Sequence, residues 1–146
     1  MTRKRAVLLV FRLFVGGVFI YSGVVKILDP LAFAQQVRNY RTVGQDLAFV
    51  VALYLPWLEA LAGAFLMAGI FKKASAALIS LMLGGFIVLV AATMVRGIDV
   101  DCGCFGALSR RADWRLLLED AVLLAMSLAI FFAARGARSG SAAHKR

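Results

Sequence analysis

Two cysteines separated by a single glycine, Cys102-Gly103-Cys104, are the residues of this chain best suited to chemistry. They are its only cysteines, and they lie in the polar run Asp101-Cys102-Gly103-Cys104-Phe105-Gly106 between long apolar stretches. Thiols so spaced can close a small disulfide ring, grip a soft metal, or stand reduced and inert. One intervening residue satisfies the Cα separation of a disulfide, about 4.4–6.8 Å. The ring is strained, and Gly103 eases that strain with backbone freedom other residues lack. Strained, exposed disulfides have higher reduction potentials and are the exchanging kind. A ring so small adds little chain-entropy stabilisation, so its value would be chemical. Arg96, Arg110 and Arg111 would favour the thiolates while Asp99 and Asp101 would disfavour them, and local charge leaves the matter open. A metal finds only two thiolate ligands here. Cu(I) accepts thiolates, yet none of the 5 methionines is in the loop, and zinc asks for four donors. No metal site is expected from this donor set. Redox exchange, a structural or inert pair, and metal handling are the three chemistries that fit, redox exchange foremost.

Three more residues stand out because their surroundings are apolar. Glu59 falls near the middle of a hydrophobic stretch, beside Pro56 and Trp57, where a carboxylate must be protonated or paired. Arg12 and Lys26 are the cations within comparable stretches. At about 1.5 Å of rise per residue, each lies roughly 10 Å in depth from Glu59, a gap that long side chains can close. Either cation can also snorkel to an interface. Glu59, Arg12 and Lys26 are therefore candidate contacts for a proton relay or for a polar head such as a quinone carbonyl. The plainer role is a structural ion pair that fixes helix register. The single histidine, His144, lies near the C-terminus, far from any partner.

The elements that must position these groups are membrane helices. The chain is 62% hydrophobic, with a mean hydropathy of +0.86, against about 45–50% apolar residues in a soluble domain. Segments 6–28, 47–71, 74–95 and 114–134 each supply the roughly 20 apolar residues that span a bilayer. The first is too long for a signal-peptide core, about 7–15 residues, and no cleavage-like site follows it, so it is expected to be retained. The expected fold is an all-α integral membrane four-helix bundle, one domain over 6–134, with a basic tail over 135–146 that is irregular from Gly136. Pro56 predicts a kink in the second span. Lys72-Lys73 is a link short enough to make the second and third spans antiparallel neighbours. Gly16, Gly17, Ser22 and Gly23 offer small residues for close helix approach. Asp29-Pro30, followed by Phe33, Val37 and Tyr40, predicts a short amphipathic helix on the outer membrane surface, with Asp29 as N-cap. Arg38 and Arg41 would then point to headgroups or to the cysteine loop. The third span, without a charge before Arg96, is expected to serve packing only. Trp114 suits an interfacial anchor, and Glu119 and Asp120 suit the first turns of the last span, within reach of Lys26 or Arg96.

The formal charge is +9, but nucleic acid is excluded as a partner because the basic residues sit at the ends of apolar runs and form no continuous polar face. They serve topology instead. Arg3, Lys4, Arg5, Lys72, Lys73, Arg135, Arg138, Lys145 and Arg146 would share one side, unmixed with acids. Arg38, Arg41, Arg96, Arg110, Arg111 and Arg115 would share the other with seven acids. The Lys and Arg bias places both termini in the cytoplasm of a bacterium and the cysteine loop on the periplasmic side of its inner membrane. Disulfides persist in that compartment.

The sequence resembles the MauE branch of the DoxX-like membrane family over about residues 7–132. The matching residues are Arg12, Gly16, Phe19, Gly23, Lys26 and Asp29-Pro30, then Tyr40, then Leu55-Pro56-Trp57-Leu58-Glu59 with Gly63, and finally Arg96-Gly97 and the Cys-Gly-Cys-Phe-Gly element itself. The resemblance implies a four-helix inner-membrane protein of methylamine utilisation that supports maturation of a periplasmic quinoprotein dehydrogenase with a disulfide-rich small subunit. It also implies thiol and quinone redox chemistry. On that footing Cys102 and Cys104 would exchange with a periplasmic thiol or disulfide protein, and electrons would pass to a membrane quinone near Glu59, Arg12 or Lys26. Membrane thiol oxidases usually carry two cysteine pairs. With one pair, this chain would need direct quinone access or a membrane partner subunit. The alternative is a non-enzymatic membrane adaptor or permease component, with the disulfide bracing the loop.

Overall fold

The structure, a computed structural model, describes residues 2–40, 44–97, 101–102, 110–111 and 114–142. Arg41, Asp99, Gly103, Cys104, the Phe105-Gly106 turn and His144 lie outside the described residues, and Cys102 is described in its backbone only. Five helices run in the order α1 (Arg3–Leu28), α2 (Pro30–Asn39), α3 (Gln45–Ala68), α4 (Lys72–Val95) and α5 (Trp114–Ala142). Between α4 and α5, β1 (Asp101–Cys102) and β2 (Arg110–Arg111) form a two-residue antiparallel ladder. α1, α3, α4 and α5 are long and apolar enough to cross a membrane, and the chain is a multi-pass membrane protein. Outward-facing apolar side chains such as Leu81 (74% exposed), Val88 (69%) and Tyr54 (68%) give the bundle the surface that lipid requires.

The bundle is two tight pairs, α1 on α3 and α4 on α5, with a looser seam between them. The first pair is close because glycines face backbone. A Cβ on Gly16 would lie 2.8 Å from the Gly63 carbonyl oxygen, one on Gly63 2.7 Å from that of Gly16, and one on Gly23 2.7 Å from that of Pro56. Gly17, another of the four small residues expected there, leaves open space where a Cβ would stand. In the second pair the Ser80 hydroxyl donates to Ser127 Oγ at 2.9 Å, and Ser127 donates to the Ala76 carbonyl at 2.9 Å. The core that joins the pairs is Val15, Phe19, Ala62, Leu66, Ala76, Ile79, Leu83 and Ile130.

Several boundaries differ from expectation. The link between the second and third spans is residues 69–71, not Lys72-Lys73, which open α4. The reason is backbone chemistry. Gly69 takes φ +77, its N–H donates to the Leu66 carbonyl at 3.2 Å, and the Ile70 N–H donates to the Phe65 carbonyl at 3.1 Å. That is the paired capping pattern that ends a helix at a left-handed glycine. Pro56 lies inside α3, as expected, and is fully buried. The backbone beyond Gly136 is helical to Ala142, in place of an irregular tail. Alanine and arginine there are good helix formers and continue the ladder of the span before them.

α2 forms as the Asp29-Pro30 signal predicts, and Asp29 Oδ1 accepts the Ala32 N–H at 3.0 Å. Its apolar side, however, turns into the bundle. Ala34 and Tyr40 are buried, and Tyr40 packs with Val90 and Leu116 of α4 and α5. α2 thus closes one end of the seam. Arg38 is exposed.

Candidate functional site

The seam holds a cavity of about 300 Å³ to which all five helices contribute. Its wall is mostly apolar, with Phe19, Phe33, Tyr40, Leu55 and Phe86 among the lining residues. Met82, Leu83, Gly85 and Leu89 of α4 also line it, so the third span does more than pack. A mostly apolar hollow with a few convergent polar groups is the usual form of a small-molecule site. Those polar groups are Ser22, Lys26, Gln36, Glu59 and Asp120.

Lys26 and Glu59 form the centre of this set. Lys26 Nζ donates to both carboxylate oxygens of Glu59 at 2.8 Å, and the Ser22 hydroxyl donates to Oε2 at 3.3 Å. Lys26 is 7% exposed and Glu59 8%. The ammonium also lies 4.9 Å from the centre of the Phe33 ring, a cation–π contact strengthened by the dry surroundings. Ser22 and Lys26 sit four residues apart, as do Val18 and Ser22, so one face of α1 aims all three at the cavity. That spacing is a sequence signal that could have placed Ser22 in the site.

Arg12 is elsewhere. Its Nε donates to the Leu66 carbonyl at 3.1 Å and its Nη2 to the Met67 carbonyl at 3.1 Å. These are last-turn carbonyls of α3, which lack intrahelical donors, and a cation there also suits the helix dipole. The structure therefore brings together Glu59 and Lys26 but not Arg12, which serves as a cap. The same contacts show that α1 and α3 run antiparallel, since the start of α1 meets the end of α3.

The strand that opens the cysteine segment lies against α2, one of the helices that line the cavity. Cys102 pairs with Arg110 and Asp101 with Arg111 in the β1–β2 ladder, and β1 lies against α2. α2 in turn supplies Phe33, Gln36, Val37 and Tyr40 to the cavity wall. The ladder is at the end of the bundle opposite the N-terminus. At the N-terminal end, Lys73 Nζ and the Arg135 guanidinium both lie over the Phe131 ring, at 5.9 and 5.6 Å. Basic residues from separate segments thus gather at one end. Asp120, expected within reach of Lys26, lines the same cavity, although nothing in one sequence tells which face of α5 turns to the seam.

The family model described as methylamine utilisation protein MauE matches residues 4–133. The chain is 32% identical to the methylamine utilization protein MauE of Paracoccus denitrificans over 126 residues, 85% of this chain and 68% of that one. It is 31% identical to the protein of the same name from Paracoccus versutus over 134 residues, 90% of this chain and 72% of that one. No solved structure matches. With a family match over nearly its whole length and relatives that it covers by more than two thirds, the chain belongs to the MauE family.

Proposed function

We propose that this protein is the membrane component of a thiol–disulfide exchange system, facing the periplasm and coupled to a membrane quinone. Both termini lie in the cytoplasm. Cys102 and Cys104 form a disulfide that accepts two electrons from a periplasmic dithiol, leaving the partner oxidised and the pair reduced. The reduced pair then gives two electrons and two protons to a quinone in the seam cavity, which becomes a hydroquinone. The relatives' names point to methylamine utilisation as the process, and the partner in this reading is a disulfide-containing periplasmic protein of that process.

One observation carries the proposal: the strand bearing Cys102 lies against α2, and α2 walls the cavity that holds Lys26 and Glu59. A single cysteine pair suffices only if quinone can come close, and α2 is the element that separates the two. The Lys26–Glu59 pair is the polar contact for a quinone head in a mostly apolar wall. Full-length protein in lipid nanodiscs, supplied with a reduced dithiol peptide and a decyl-quinone, tests this. The expected result is one hydroquinone formed per peptide disulfide, abolished by the Cys102→Ser/Cys104→Ser double variant. Unchanged turnover in that variant would overturn the proposal.

A further inference from the structure

One polar atom in the cavity wall has no use in the scheme above. Among the described residues, Asp120 Oδ2 is buried and has no hydrogen-bond partner. A buried acceptor without a donor is costly, and the cost is relieved by whatever brings a donor to it. Asp120 lines the same cavity as Lys26 and Glu59, from α5 on the other side of the seam. The Lys26 ammonium is already directed to both Glu59 oxygens and to the Phe33 ring. The cavity is therefore an apolar chamber with a closed Lys26–Glu59 pair on one wall and an open carboxylate acceptor on another.

We propose that the cavity is a site for a lipid-soluble phenolic molecule in its hydroxyl-bearing, reduced form, with a ligand hydroxyl donating to Asp120 Oδ2. The aromatic class follows from the wall, where Phe19, Phe33 and Phe86 offer faces and edges to a ring. The size follows from the volume, about ten waters at roughly 30 Å³ each, which admits one ring and a short stretch of tail. The hydroxyl follows from Asp120. An oxidised quinone carries only acceptors on its ring oxygens and would set one against the carboxylate. A hydroquinone carries donors there. This deepens the quinone-coupled proposal and gives it a direction. A site that prefers the reduced form tenfold raises the potential of the bound couple by about 30 mV, which makes the bound quinone a stronger oxidant for the cysteine pair.

The test is competition binding on full-length protein in nanodiscs, with tritiated 2-decylhydroquinone as probe. Unlabelled 2-decylhydroquinone and its dimethyl ether, in which methyl groups replace both hydroxyl hydrogens, are the competitors. The hydroquinone should displace the probe at about tenfold lower concentration than the ether, because a site with an unmet acceptor rejects a ligand that cannot donate. In Asp120→Leu the two competitors should come within about threefold of each other. Equal competition in the wild type, or no saturable binding, overturns the proposal without recourse to any variant. A preference that survives Asp120→Leu overturns it too. Dithiol oxidation in the same nanodiscs keeps the two proposals separable. Exchange without hydroxyl selectivity removes this one alone, whereas selective binding without exchange leaves the site standing and removes the thiol chemistry.

Discussion

At the scale of single residues, the Lys26–Glu59 pair has to explain why two charges are kept in an apolar bundle at all. Each ion loses hydration on burial, and mutual attraction repays that loss only with good geometry. The geometry is good, with both oxygens at 2.8 Å from Nζ and a third donor from Ser22. Removing one partner strands the other. Lys26→Met should therefore destabilise the protein by about 3–5 kcal/mol, and Glu59→Leu by a similar amount. The Lys26→Met/Glu59→Leu double variant should recover most of that loss, because neither charge is then left alone. Unfolding in detergent of the wild type and all three variants checks the cycle. If the double variant is as stable as the wild type yet no longer reduces quinone, the pair serves the site and not the fold. That Glu59 needs a cation was legible from its place in a long apolar run. Which cation it takes was not, because Arg12 and Lys26 lie at equal depths from it by helix rise. The carbonyls of Leu66 and Met67 decide the matter by drawing Arg12 to themselves.

At the scale of elements, the contact between α1 and α3 rests on small residues and on one long one. Gly63→Val would place side-chain atoms where the Gly16 carbonyl and Ile20 now lie. The expected result is a loss of about 1–3 kcal/mol, typical of overpacking, measured by thermal unfolding. Arg12→Met would remove the side-chain donors to the Leu66 and Met67 carbonyls. Leu66 keeps the Gly69 N–H, so a loss of about 1–3 kcal/mol is expected, chiefly at Met67. Arg12→Lys should restore only part of this, since one ammonium cannot span two carbonyls as a guanidinium does. The four spanning helices and α2 were legible because apolar length, Asp29 and Pro30 are local signals. Their ends were less so. Lys72 and Lys73 look like a link by charge, yet the left-handed Gly69 stops α3 earlier and leaves both lysines to begin α4. The Ser80–Ser127 hydrogen bond between α4 and α5 was likewise hidden, because two serines in separate apolar runs carry no mark of their pairing.

At the scale of the whole molecule, two helix pairs leave a seam, and α2 closes the seam beside the strand that bears Cys102. Neither the seam nor its 300 Å³ cavity could be read from the sequence, because a void depends on how five helices fail to fill space together. The cysteine pair was legible at once, and its chemistry is the claim on which the functional account turns. The most direct test is the reduction potential of the Cys102–Cys104 pair in the purified full-length protein. Equilibration against glutathione buffers, followed by thiol alkylation and mass detection, gives it. The account predicts a potential of about −100 to −200 mV, in the range of working thiol oxidants and isomerases. A value below about −300 mV would mark a structural bond. It would contradict the exchange mechanism and leave a membrane adaptor whose loop the disulfide braces.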